Sequence, residues 1–334
     1  MTLILIAILA LAAVELFLFL RPKLSVSREL LQRTLLVNAA STGIDYARSL
    51  LLEDLENSEF DSLEEPWNEP VEYALDRVEV KVRIEDEERR FPLAFLIVEP
   101  AAAAGGQPSP AAGTPAAKPA VGTAPAESGR TDTGIKLSEV GLEAFETLLK
   151  RLGLTPNWAK EAVDSLADWI DGDDDPRSFG AEKDYYAVNG YQARNGLPDN
   201  LGELALVKGF RPDITEKVFP YLTVFSKRLN LNTAPAEVLE SMFGKDESLP
   251  IDFLVNGRPY ESTADALKLA QIDPKFYNQL QKMLTVSSSV FSVRSTARDE
   301  SGRQESVYAI IERNEKGGRI LYWQRLQPPD DPLP

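Results

Sequence analysis

The sequence predicts an α+β protein: a long N-terminal helix packs on an antiparallel sheet, and a large all-α insertion of helical hairpins interrupts that sheet. Three observations predict this class. The chain begins with a long helical pattern, two separate blocks alternate apolar and polar residues, and the block between them is cut into short helices by glycine and proline. The two strand blocks are expected to share one sheet, because a lone hairpin is marginal in water.

The first element is an apolar segment, TLILIAILALAAVELFLFL, which runs from Thr2 to Leu20. As a helix it would measure roughly 29 Å, enough to cross a hydrocarbon core of about 30 Å. We therefore predict a transmembrane helix over residues 1–23. A cleaved signal peptide fits less well, because the basic residues Arg21 and Lys23 follow the apolar run instead of preceding it.

The helical pattern continues beyond the apolar segment. Residues 25–56 contain no proline and a single glycine, and their apolar residues recur largely at helical spacing. We expect one long helix that is kinked near Pro22 and whose second half is amphipathic. This half and the first strands of the sheet make up residues 24–99.

Strand patterns lie on both sides of the helical block. Val78 to Ile84 alternates apolar and charged residues, EDEERR follows, and FPLAFLIV is predicted to complete a hairpin. Three further strand patterns, separated by turns, predict a meander over residues 284–327 that completes the sheet. The tail, residues 328–334, is too rich in proline for regular structure, so we predict that it is disordered.

A segment rich in proline and alanine separates the first strands from the helical block. Residues 100–134 contain no aromatic residue, so they cannot bury enough apolar surface to offset their ordering entropy. This predicts a disordered linker. Residues 135–283 then form the inserted helical domain, in which proline repeatedly stands in the first turn of a short helix.

Composition excludes several classes of function. With no cysteine and no histidine, the chain has no thiolate nucleophile, imidazole base, disulfide or common zinc site. A net charge of -16 opposes binding to nucleic acid or to an anionic membrane surface. The stretch LNLNTAPAEVL, residues 229–239, nevertheless resembles the start of a helix-hairpin-helix module, so DNA binding or uptake is the alternative function.

The sharpest local signal is the acidic stretch DGDDDPRSFGAE. Asp171, Asp173 and Asp175 take positions 1, 3 and 5 of an EF-hand-like spacing, and Glu182 takes position 12. Position 6 is Pro176 instead of the required glycine, so a true EF-hand is not expected. Carboxylates this close repel each other unless water or a cation neutralises them. The stretch is therefore a candidate cation site, and a solvated acidic loop that ends a helix is the alternative.

Several stretches carry a resemblance to a known family. They are LADWIDGDDDPRSFGAEKDYY, NGLPDNLGELALVKGF, FPYLTVFSKRLNLNTAPAEVLESM and the closing strands. Together with the predicted helix and sheet, which follow the plan of type IV pilins and pseudopilins, they resemble the K-type minor pseudopilins of bacterial type II secretion systems over nearly the whole chain. The resemblance implies a type IV pilin-like body with a SAM-like helical insertion. It also implies a non-enzymatic role at the tip of the pseudopilus, where the chain would initiate or cap the filament.

The resemblance implies partners and a location. The partners would be the I- and J-type minor pseudopilins, the major pseudopilin, the inner-membrane secretion platform and secreted substrate, without nucleic acid. The protein would cross the bacterial inner membrane once and carry its main body in the periplasm. This orientation rests on the resemblance, because Arg21, Lys23 and Arg28 alone predict the opposite side. A minor pilin of a type IV pilus is the alternative within the same plan.

The resemblance further implies calcium in the helical domain. We place calcium in the acidic stretch. The candidate ligands are Asp171, Asp173, Asp175, Glu182 and Asp184.

Three N-terminal residues are candidate interaction residues. Pilin-like subunits ordinarily carry a glutamate at the fifth mature position, which neutralises the N-terminal amine of a neighbour. If Met1 is the first mature residue, that position is Leu5, as expected for a subunit with no neighbour above it. Glu15 is expected to face a partner helix or to be protonated, and Pro22 marks the expected kink.

Overall fold

The computed structural model describes residues 2–98, 135–243, 251–269, 283–314 and 317–326. The predicted linker, residues 100–134, and the predicted tail, residues 328–334, lie outside the described residues. The chain divides into two compact units. The first unit consists of Met1–Glu87, Pro259–Ser262 and Val286–Pro334, and the second of Glu88–Arg258 and Thr263–Thr285.

The helices and strands of the described residues are numbered in chain order. The strands are β1 (Val71–Leu75), β2 (Val78–Asp86), β3 (Phe91–Pro92), β4 (Ile97–Val98), β5 (Lys136–Leu137), β6 (Leu222–Thr223), β7 (Leu229–Asn230), β8 (Leu284–Thr285), β9 (Val290–Asp299), β10 (Gln304–Asn314) and β11 (Gly317–Leu326). The helices are α1 (Thr2–Asn57), α2 (Glu139–Arg151), α3 (Pro156–Ile170), α4 (Lys183–Ala187), α5 (Pro212–Val218), α6 (Ala236–Phe243), α7 (Ile251–Asn256) and α8 (Thr263–Leu269). Short 3-10 helices cover Pro66–Asn68, Glu87–Arg89, Leu93–Leu96, Leu201–Leu206 and Phe219–Tyr221.

Helix α1 begins the first unit and runs without interruption through Pro22. Its C-terminal half packs on the sheet, because residues three or four apart share one face of a helix. The buried residues of that face are Leu36, Ala40, Ile44, Ala47 and Leu51. In the part of the chain that the structure describes, no helix is both long and apolar enough to cross a membrane. The predicted membrane span is therefore not confirmed.

Five strands form the antiparallel sheet of the first unit, in the order β1-β2-β9-β10-β11. Ser295 on the central strand β9 lies opposite Val82 on one side and Val307 on the other. A Cβ atom at Gly43 of α1 would overlap the Ser295 hydroxyl, so glycine lets the helix lie close to the sheet. Strands from before and after the insertion thus join in one sheet, and the α+β class is confirmed.

The first hairpin differs from the prediction. Its strands are β1 and β2, and they join at Asp76, whose φ of 56° lies in the left-handed region. The stretch Phe91–Val98 does not pair with β2: β3 pairs with β6, and β4 pairs with β5. Because Phe91, Leu93 and Leu96 are all buried, this stretch suits the interior of the second unit better than a strand with one exposed face. The second unit accordingly begins at Glu88 instead of residue 135.

Short helices make up most of the second unit. Ser138 caps α2, since its Oγ accepts a hydrogen bond from Gly141 N at 3.1 Å. Pro156 and Pro212 stand in the first turns of α3 and α5, where a missing N–H leaves no hydrogen bond unmade. Helix α3 is buried along most of its length and ends at the acidic stretch.

Candidate metal centre

Helix α3 directs three aspartates toward the loop that follows it. Asp164, Asp168 and Asp171 are four and three residues apart, so they share one face of the helix. Asp164 and Asp168 are buried, and Asp171 caps the C-terminus of the helix, where its N–H donates to Ala167 O at 2.9 Å. Asp164 and Asp168 were not predicted as functional residues, although this spacing next to the acidic stretch is a signal that the sequence offers.

Backbone amides of the loop, residues 171–182, bind to the buried aspartates. Asp168 Oδ2 accepts a hydrogen bond from Arg177 N at 3.1 Å, and Asp164 Oδ2 accepts one from Phe179 N at 3.3 Å. A Cβ atom at Gly180 would overlap Asp168 Oδ2, so the close approach of the loop to α3 requires glycine. These contacts fix the backbone between the two ends of the acidic stretch.

Lys208 holds the same loop from the other side. Its Nζ donates to the carbonyl oxygens of Phe179 and Gly180, each at 3.0 Å. It also lies 3.7 Å from Glu161 Oε1 and 5.6 Å from the centre of the Tyr185 ring. At the two ends of the loop, Trp169 of α3 and Tyr186 of α4 pack edge to face with their ring centres 5.1 Å apart. The loop backbone is therefore fixed by Lys208, and the elements on both sides of it are joined by an aromatic contact.

Asp171, Asp173 and Glu182 meet in this loop. One carboxylate oxygen from each lies within 4.8 Å of the others. Glu182 is 6% exposed. Asp171 Oδ1 and Glu182 Oε1 are buried and accept no hydrogen bond from the described residues. Buried carboxylate oxygens normally have a partner, so two such atoms in one cluster fit a bound cation.

The electrostatics of the cluster point the same way. Burial, and then the charges of Asp168 and Asp171, raise the pKa of Glu182 to about 8. Burial, and then the charge of Asp173, raise the pKa of Asp171 to about 6. The loop also contains Arg177, whose Nη2 donates a hydrogen bond to Glu139 Oε1 at 2.9 Å. A cation in the cluster would remove the repulsion that raises these pKa values.

The structure brings together three of the five predicted ligands. Asp175 and Asp184 are exposed and lie outside the group of three. The backbone N–H of Asp175 donates to Asp173 Oδ1 at 2.9 Å, which shapes the turn, and Asp184 stands in the first turn of α4. The predicted EF-hand-like spacing is therefore matched in space at positions 1, 3 and 12 only.

A second acidic group lies in the first unit. Asp54, Asp61 and Glu65 also have carboxylate oxygens within 4.8 Å of one another. In this group Arg313 supplies the cation: its Nη1 lies 2.7 Å from Asp54 Oδ2, and its Nη2 pairs with Asp61 Oδ1. Of the two groups found among the described residues, the acidic loop is thus the better metal candidate.

The predicted interaction residues lie on α1. Leu5 is 62% exposed, Glu15 is exposed, and Pro22 lies within the helix. Their contacts with other proteins stay predictions.

Comparisons with known proteins find one family. The family models of type II secretion system protein K match residues 126–227 and 229–287. The type II secretion system protein K of Pectobacterium carotovorum subsp. carotovorum is 31% identical over 168 residues, which are 47% of this chain and 51% of that protein. The protein K of Dickeya chrysanthemi is 28% identical over 159 residues, which are 45% of this chain and 44% of that protein. The chain thus spans about half the length of these curated relatives.

A solved structure shares the fold. A chain from the crystal structure of the GspK-GspI-GspJ complex of enterotoxigenic Escherichia coli matches with a TM-score of 0.69 and 20% sequence identity. The match covers 90% of this chain and 99% of that one. The family matches include the acidic loop and most of the second unit. They favour secretion over the alternatives of a type IV pilus or DNA binding, and they support the protein K family of type II secretion system minor pseudopilins as the family that this chain resembles.

Proposed function

We propose that this chain forms the tip of the periplasmic pseudopilus of a type II secretion system, where it initiates or caps the filament together with I- and J-type minor pseudopilins. The observation that supports this most is the shared fold, since the match to a chain of the GspK-GspI-GspJ complex extends over 90% of the chain. That extent includes residues of both compact units, which we propose to be a pilin-like body and a SAM-like helical insertion. The role is assembly, without catalysis.

Helix α1 supplies the proposed assembly surface. Near its N-terminus a series of apolar side chains is more than half exposed, which is unusual unless lipid or another helix covers them. We place Thr2–Leu20 in the inner membrane before assembly, on the strength of its apolar sequence, and against the helices of partner pseudopilins afterwards. The exposed apolar residues are Ile4, Leu5, Ile6, Leu9, Leu11 and Val14.

The acidic loop is proposed to bind calcium through Asp171, Asp173 and Glu182. The fit rests on three hard carboxylate donors, two of which have buried oxygens without a hydrogen bond from any described residue. The ion would supply the positive charge that lets all three acids stay ionised in one place. The loop, fixed by Asp164, Asp168 and Lys208, would then be ordered for contact with partners or secreted protein.

Copurification and secretion test this function. The full chain is expected to copurify with the I- and J-type pseudopilins of its own genome and to restore secretion in a strain that lacks it. A variant without residues 88–285 removes the second unit, together with the short stretch Pro259–Ser262 of the first, and is expected to keep the complex but to lose secretion. Failure of the full chain to bind either pseudopilin would refute the tip complex. Unchanged secretion by the deletion variant would refute capping by the helical unit.

A further inference from the structure

A buried ionic cluster joins several segments of the first unit. At its centre is Arg313 of β10, which is 3% exposed. Its guanidinium donates from Nη1 to Asp54 Oδ2 at 2.7 Å and from Nη2 to Asp61 Oδ1. Nε donates to Ser288 O and Nη1 also donates to Leu51 O, both at 3.1 Å. Arg313 is therefore an internal cation with oxygen acceptors from the end of α1, from the segment after it and from the loop before β9.

Ser288 connects a further acid to the cluster. Its backbone N–H donates to Asp61 Oδ2 at 2.6 Å, and its hydroxyl donates to Asp86 Oδ2 at 2.7 Å. Asp61 and Asp86 are both almost completely buried. The two carboxylates thus share one serine inside the unit.

Hydrogen bonds and packing contacts at this cluster fix the segment of residues 58–68, between α1 and β1. The backbone N–H of Asp61 donates to Val286 O at 2.8 Å. Further along, Glu65 Oε2 accepts hydrogen bonds from Ser62 N at 2.7 Å and from Trp67 Nε1 at 3.0 Å. Trp67 is buried and packs edge to face on Phe291 at 5.2 Å between ring centres. Asp61 and Trp67 are therefore the two anchors of the segment.

The carboxylates of the cluster repel one another. Besides burial, the charges of Asp86 and Asp54 favour the protonated form of Asp61, and the charge of Glu65 favours the protonated form of Asp54, whereas Arg313 opposes both effects. On the side of β9, Arg313 meets the uncharged ring of Phe291, 4.7 Å from its guanidinium carbon. Repulsion between buried carboxylates is unfavourable, and it falls when one carboxylate binds a proton or when the cluster opens to water.

We propose that the Arg313 cluster is a proton-operated latch, which holds a proton while the segment 58–68 is closed on the sheet and releases that proton when the segment opens. This inference does not depend on the proposed function. Burial, opposed by Arg313, raises the pKa of Asp61 to about 7 in the closed state, and burial also raises the pKa of Asp54. Because the closed state binds the proton more tightly than the open state, opening becomes easier as the pH rises from about 4 toward 7.

Thiol labelling measures the opening directly, because the chain has no cysteine of its own. A Ser62→Cys variant of the full chain places a buried thiol on the segment, and a Ser49→Cys variant places an exposed thiol on α1. The ratio of their reaction rates with a thiol reagent cancels the pH dependence of the thiol itself. For a carboxyl with a pKa of 3.8 when open and about 7 when closed, this ratio is expected to rise about fiftyfold between pH 5 and pH 7.

Acid-to-amide variants in the Ser62→Cys background identify the cluster as the source. Asp61→Asn is expected to remove most of the rise, since the carboxyl whose pKa is raised to about 7 is gone and the raised pKa of Asp54 accounts for what remains. Asp45→Asn is the matched control, because Asp45 is an exposed acid of the same unit, and it is expected to keep the full rise. If Asp61→Asn does not fold, Asp86→Asn replaces it, and the rise is expected to fall below about tenfold because one buried charge is removed. A labelling ratio that stays constant between pH 5 and pH 7 in the parent would refute the proposed latch. A full rise in the Asp61→Asn variant, or in the Asp86→Asn variant used in its place, would refute it as well.

Discussion

The first unit gathers Asp54, Asp61 and Glu65, and Arg313 pairs with the first two, whereas the second unit gathers Asp171, Asp173 and Glu182 around no comparable side chain among the described residues. Both groups face the same repulsion between carboxylates. The cation of the first is part of the chain, and the proposed cation of the second comes from solution. The comparison predicts that the stability of the second unit depends on the concentration of a dissolved cation, whereas that of the first unit does not.

The strongest test of this comparison removes the internal cation. Arg313→Ala leaves buried carboxylates without their partner and is expected to lower the free energy of unfolding of the first unit by about 3–5 kcal/mol. Urea denaturation of the full chain measures the change. Arg319→Ala is the control, since Arg319 forms an exposed ion pair with Glu312 and is expected to change stability by less than about 1 kcal/mol. An equal loss of unfolding free energy in both variants would show that the buried cation stabilises the first unit no more than an exposed ion pair does.

The second test supplies and withholds the external cation. Calcium at a hundred times its dissociation constant is expected to stabilise the second unit by about 2.7 kcal/mol, seen as a rise in its melting temperature. Glu182→Gln is expected to abolish most of this rise. Without calcium it is expected to melt higher than the parent at neutral pH, because it removes the free energy cost of burying an acid whose pKa is raised to about 8. Asp184→Asn, at an exposed acid outside the group, is the matched control and is expected to respond to calcium like the parent. No calcium response in the parent would refute the proposed site.

A third test disturbs the support of the acidic loop without changing its charge. Gly180→Ala forces a methyl group against Asp168 and is expected to destabilise the second unit by about 1–3 kcal/mol and to weaken calcium binding. Gly196→Ala is the control, since its nearest contact is 3.9 Å from the added atom. Calorimetry and calcium titration compare the two. Equal behaviour would show that the loop does not need its close approach to α3.

The smallest expected effect is at Lys208. Lys208→Met keeps the aliphatic stem but loses the hydrogen bonds to Phe179 O and Gly180 O, for an expected loss of about 1 kcal/mol. Lys217→Met, at an exposed lysine in the last turn of α5, is expected to change stability by less than about 0.5 kcal/mol. Thermal melts without calcium isolate this difference. A neutral Lys208→Met variant would assign the support of the loop to the aspartates alone.

The parts of the fold that follow from local periodicity could be predicted. The long helix, the closing strands and the short proline-initiated helices each have a repeat that one stretch of sequence displays. The predicted hairpin strand at Phe91–Val98 was wrong, because a run of buried apolar residues has no distinctive period. Its placement depends on partners from distant parts of the chain, such as Leu222.

The two acidic groups also differ in whether a local stretch of sequence could predict them. The acidic loop could be found because its carboxylates lie close together in sequence, although Asp175 and Asp184 were included and Asp164 and Asp168 were left out. Only the packing of α3 shows which acids are buried. Arg313 and Asp54 are 259 residues apart, so no local pattern could connect them.

The pairing of β2 with β9 also affects the order in which the two units fold during synthesis. Asp86 and Phe291 are partners in this ladder, yet the whole second unit lies between them in sequence. A chain made from its N-terminus exposes a finished helical unit before the middle of the sheet has all its strands, and closing so long a loop is entropically unfavourable while that unit is unfolded. Substitutions that slow the folding of the helical unit are therefore expected to delay the pairing of β2 with β9 as well. Until that pairing forms, the free edge of β2 is a site at which the nascent chain can aggregate.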